Sequence, residues 1–228
     1  MSRKLIALAA LALGACSPSE TFRYRVTVEV NTPQGIKTGS SVWETRITEG
    51  SGIPDSGLRL SERGSAVAVD LPTGTLYALM KGQDFIEHQN GNYVSDVLPA
   101  HLSKYGQPGV EVVHGDWRAN ARGIQRAKPN FEMYPDEYPM LVRFTDEKQP
   151  ATVQKVDPAD LSASFGPGVS LKRITITYTG DRPDVHALDE RLPWIPTTAA
   201  LVIPPDVVRS QWPFASFIIG SDFESDQK

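Results

Sequence analysis

"FRYRVTVEV", residues 22–30, decides how this chain folds. Phe22, Tyr24, Val26, Val28 and Val30 alternate with Arg23, Arg25, Thr27 and Glu29. Successive side chains of a β-strand point to opposite faces, so this pattern predicts a strand with one face in a core and the other in water. "NTPQG" follows, and its Pro33 and Gly35 supply turn chemistry. A second strand is expected from Ile36 toward Ile47, closing a hairpin. Its adjacent Val42 and Trp43 place apolar groups on both faces.

Working outward, "AVAVDL" (66–71) and "TLYALM" (75–80) flank "PTG" and predict a second hairpin. Their nearly continuous apolar runs are those of strands buried on both sides. Residues 49–64 are rich in Gly, Ser and Pro and read as a loop. A short helix is expected to start at Pro99 and to end at Gly106 and Pro108. A brief strand is expected at 110–113 and another at "MLVRF" (140–144). In "DPADLSASFGPG", Asp157 can cap a helix, Leu161 and Phe165 share a face, and Gly166-Pro167 stops it. "VSLKRITITYT" (169–179) reads as a strand in which Val169 and Leu171 lie out of phase with Ile174, Ile176 and Tyr178. That shift of parity predicts a bulge near Lys172. "LDERLPW" (188–194) predicts a turn that seats Trp194 in the core, and 199–203 and 214–219 are expected to be the last strands. The result is a mainly β or α+β domain of antiparallel sheets with two short helices. A two-sheet sandwich is the first expectation, and a curved sheet with helices on one side is the second.

The N-terminus carries an address. Arg3 and Lys4 precede an apolar run from Leu5 to Ala15, which is too short to span a bilayer and has the length of a signal's central region. "LGAC" ends at Cys16, the one cysteine in the chain. This segment resembles the lipobox of bacterial lipoproteins. The resemblance implies removal of residues 1–15, acylation of Cys16 and a lipid anchor. Ser17, rather than an aspartate after the cysteine, implies the periplasmic face of the outer membrane. The domain reading is then a signal at 1–15, an anchor and short tether at 16–21, one β-rich domain at 22–220 and a polar tail at 221–228. Residues 156–194 are similar to segments of proteobacterial proteins of unassigned function, which implies no activity.

Charge and composition narrow the chemistry. The chain has 23 basic and 27 acidic side chains, a net charge of −4, and loss of Arg3 and Lys4 makes it more acidic still. That balance argues against nucleic acid as a partner. An acylated Cys16 leaves the folded part without a thiol for disulfides, nucleophiles or metal ligands. No HExxH, GxSxG, GxGxxG or GxxxxGK[ST] pattern occurs, so the motifs imply no cofactor and no metal.

The remaining candidates are local. His114 and Asp116 in "HGDW" could pair for acid–base work, or form a turn. His186 lies in "DRPDVHALDE" beside Asp181, Asp184, Asp189 and Glu190, an acidic loop whose oxygens could meet a cation. Arg118, Arg122 and Arg126 recur every four residues and would form a basic helical stripe, suited to lipid headgroups or an anionic polymer. "FEMYPDEYP" (131–139) carries Phe131, Tyr134 and Tyr138, which could form a recognition surface or fold back over the core. The neighbouring basic and acidic segments could also neutralise each other. These signals favour a membrane-anchored envelope protein that binds a protein or cell-wall partner without catalysis. The alternative is a periplasmic hydrolase using His114 and Asp116 or the acidic cluster around His186.

Overall fold

The computed structural model describes residues 19–49, 57–83, 93–106, 112–113, 116–195 and 213–226. The alternating stretch is the centre of strand β1 (Ser19–Thr32), which pairs in antiparallel register with β2 (Gly35–Glu49) along its whole length. β1 starts at Ser19, earlier than the apolar pattern alone indicates, because Ser19 and Glu20 still pair with Thr48 and Ile47. The turn places Gly35 at φ 105°, a left-handed conformation that glycine adopts without a Cβ clash.

The other strands are β3 (Leu58–Ser65), β4 (Val67–Leu71), β5 (Gly74–Gly82), β6 (Asn130–Glu132), β7 (Pro139–Phe144), β8 (Val153–Lys155), β9 (Ser170–Tyr178) and β10 (Glu224–Asp226). They form two antiparallel sheets, ordered β10-β3-β2-β1-β9-β6 and β4-β5-β7-β8. The loop expected at 49–64 is a strand from Leu58 onward. Its alternation is hidden by charged residues, because Arg59, Ser61 and Arg63 lie on the outer face of the sheet. The bulge is where the parity shift put it: Glu29 faces Arg173 and Val30 faces Leu171, so Lys172 is the extra residue.

One core lies between the sheets. Phe22, Tyr24, Val26, Val28 and Val30 meet Val67, Val69, Leu76 and Ala78 there. Gly39 marks a close approach, since a Cβ at that point would overlap the Ala68 carbonyl. A second core covers the other face of the smaller sheet. Tyr77, Leu79, Met140, Val142 and Phe144 pack under Leu188, Leu192, Trp194, Ile218 and Phe223. Trp194 is seated as expected, and its indole N–H donates to the Glu147 carbonyl at 2.8 Å. β5 is buried on both faces, which accounts for its unbroken apolar run.

Four helices occur among the described residues: α1 (Tyr93–Tyr105), α2 (Trp117–Ala127), α3 (Ser162–Phe165) and α4 (Gly220–Phe223). α1 corrects the expected start at Pro99, which sits inside the helix. Val94, Val97, Leu98, His101 and Leu102 form one buried stripe at helical spacing, and that burial outweighs the hydrogen bond Pro99 cannot donate. α3 is shorter than expected. Asp157 closes a turn by accepting from the Ala159 N–H, and Asp160 accepts from Ala163 instead. Residues 214–217 form a 3-10 turn rather than a strand, and 112–113 are not in a strand. The expected strand at 199–203 lies outside the described residues, as do Cys16 and the signal-like segment. The expected polar tail is ordered through residue 226: Phe223 is fully buried and β10 pairs with β3.

Candidate functional site

A groove of about 310 Å³ runs between α1 and the 131–138 segment. Val97 and Ala100 of α1 give it an apolar floor, and Tyr93, Asp96, Lys104, Asp136 and Glu137 line the rest. Residues 135–137 form a 3-10 turn that Pro135 initiates. Glu137 ties this turn together, because one carboxylate oxygen accepts from the Tyr134 N–H at 2.9 Å. The same carboxylate meets His101 Nδ1 at 2.9 and 3.0 Å, with both side chains under 10% exposed. Tyr93 donates its hydroxyl to the Glu137 carbonyl at 2.6 Å. Lys104 pairs with Asp136 at the outer end.

An aromatic ledge adjoins the groove. Phe131 stacks on the His101 ring at 3.4 Å between centroids. Tyr134 lies 4.1 Å from Tyr105, and these two rings are 48% and 38% exposed. Solvent-facing rings held by a fixed turn offer contact area at little entropic cost to a binder. Asp96 is the unusual member. It is half-buried, and burial holds its carboxyl above the ordinary range. It has no hydrogen-bond or ion-pair partner among the described residues, whereas Asp136 and Glu137 both do. Behind it, burial also raises Glu62, which accepts from the Ser95 N–H and hydroxyl at 2.8 Å each.

The structure separates the other expected residues. Of the three predicted aromatics, Phe131 and Tyr134 join the ledge, while Phe131 and Tyr138 both pack against the core. Asp116 is the N-cap of α2, accepting from the Ala119 N–H at 2.8 Å. His114 lies outside the described residues. Arg118, Arg122 and Arg126 are on one helix as the spacing predicts. Arg122 pairs with Glu20 and Asp136 with Lys104, so these two residues do not pair with each other.

Around His186 the loop is divided by task. Asp184 accepts from the Val42 N–H at 2.8 Å and Asp181 pairs with Arg25. His186 Nδ1 lies 3.1 Å from both Asp189 and Glu224. These three could hold a divalent ion, but the imidazole is exposed and can itself bridge the two carboxylates. Sequence reading missed His101, Tyr105 and Asp96. The signal for them was the 94, 97, 98, 101, 102 spacing, which places Asp96 and Ala100 beside the buried stripe. Comparisons with protein-family models, curated proteins and solved structures find no match to this chain.

Proposed function

We propose that the chain is a lipid-anchored envelope protein whose β-rich domain binds a partner in the groove along α1. The anchor reading rests on "LGAC" and on the short apolar run before it. The binding reading rests on Asp96. A half-buried carboxylate without a partner disfavours the folded state, and such groups concentrate where a ligand supplies the missing interaction. The apolar floor and the exposed Tyr105 and Tyr134 match a partner that presents a cationic group beside an apolar one, such as a lysine-bearing peptide or an amine of the cell wall. Catalysis forms no part of this reading.

The test is a pull-down from solubilised membranes with the full-length chain as bait. A partner recovered with the wild type and lost with both Asp96→Asn and Tyr134→Ala is the expected result. Recovery of no partner, or equal recovery with both variants, sinks the binding reading. Cys16→Ser should abolish labelling by a fatty-acid probe, and a label that persists sinks the anchor.

A further inference from the structure

The end of the larger sheet where the chain enters it is basic on both sides. Ser19 pairs with Thr48, and Thr48 pairs with Arg59, so the start of β1, the end of β2 and the start of β3 lie side by side. Arg46, opposite Thr21, and Arg59 project from the outer face there. Both are exposed and neither has an ion-pair partner among the described residues. Farther along the same face the arginines are occupied: Arg23 and Arg63 share Glu44.

On the other side of the entry point lies α2. Arg122 bonds Glu20 at 2.7 Å, and the Gln125 amide donates to the Thr21 carbonyl at 2.7 Å. The helix is thereby strapped to the first residues of β1. Arg126 and Lys128 extend its exposed basic edge. Glu20 is taken up by Arg122, and Asp116 is at the far end of the helix, capping it.

We infer that this end of the domain is its bilayer-facing surface and that the occupant of Arg46, Arg59 and Arg126 is an anionic lipid surface. The inference rests on the anchor reading of Cys16. Ser19 follows Cys16 by three residue steps, and a fully extended chain of that length spans at most about 11 Å. That is about one Debye length at physiological salt, so an anchored domain cannot leave the field of the headgroups. Cations at this end face attraction that the same cations at the hairpin tip would not feel. The tip at Ile36 lies about 40 Å away along β1.

The experiment uses the full-length, acylated chain reconstituted in vesicles, with one reporter thiol at Ala127→Cys and, separately, at Ile36→Cys. A fluorophore on each thiol is read against a quencher carried on lipid headgroups. Strong quenching at Ala127 and little at Ile36 is expected when the vesicles contain phosphatidylglycerol. The Ala127 signal should fall about threefold or more in neutral vesicles, in high salt, or with Arg46, Arg59 and Arg126 changed to Gln. Equal quenching at the two sites, or an Ala127 signal indifferent to lipid charge and to the arginines, overturns the orientation. An unacylated Cys16 that takes up the fluorophore, with a chain that does not float with vesicles, overturns the anchor and the orientation together.

Discussion

Asp96 illustrates how one side chain can oppose the fold that carries it. Its raised pKa means the folded chain keeps a proton that the unfolded chain has already lost. Stability therefore declines as pH rises from the ordinary carboxylate range through the raised value. Asp96→Asn removes that decline. Thermal melts should show the variant above the wild type at pH 7, with the gap closing as pH falls toward 4. A wild type that melts higher at pH 7 would show that Asp96 has a stabilising partner. Lys81, unlike Asp96, is paired. It is 4% exposed, pairs with Asp222 at 3.0 Å and donates to the Phe217 carbonyl at 2.7 Å. Burial lowers the Lys81 pKa and raises that of Asp222, so each charge depends on the other. Lys81→Met leaves a buried carboxylate without its counter-ion and should cost about 3–5 kcal/mol in urea unfolding. Lys81→Met combined with Asp222→Leu should recover part of that loss. A single variant as stable as the wild type would contradict the pairing.

The hairpin of β1 and β2 and the bulge in β9 set the register of the larger sheet. Lys172 is the residue that β1 does not match, so deleting it restores plain alternation and keeps Leu171 and Ile174 on the core face. The deletion also loses the surface pair to Glu29, which contributes little because it is exposed to solvent. Deleting Thr175 instead moves Ile174 and Ile176 to opposite faces. Denaturation should find the first deletion nearly neutral and the second severely destabilising; equal effects would contradict the assigned bulge. Gly39 constrains β2 similarly. Its missing side chain lets the Ala68 backbone approach, and Gly39→Ala should cost about 1–3 kcal/mol through overpacking. The strands were legible wherever one face is apolar, as in β1, or both are, as in β5. β3 was not, because its outward arginines dominate its composition. α1 starts earlier than Pro99 implies, because the apolar stripe that outweighs the proline begins at Val94.

Two sheets with a core between them and a second core beneath the C-terminal segment make one β-rich body. Pairing across long sequence separations explains what could not be read beforehand. Tyr134 and Phe131 announced an aromatic loop, but only tertiary packing brings Tyr105 and His101 to it, from a helix 26 or more residues earlier in the chain. Asp96 gave no sign of its surroundings, since an aspartate early in a helix is ordinary and its lack of a partner among the described residues arises only in the folded chain. The basic stripe of α2 was legible from spacing, whereas its position beside the chain's entry point came from Arg122 and Gln125. The central claim is that the groove along α1 is where a partner sits. The most direct measurement places a photo-crosslinking amino acid at Tyr134, and separately at Ile36, in the full-length chain within intact membranes. The account predicts a discrete adduct from Tyr134 that Asp96→Asn abolishes, and no such adduct from Ile36. The same adducts from both positions, or none from Tyr134, would contradict it.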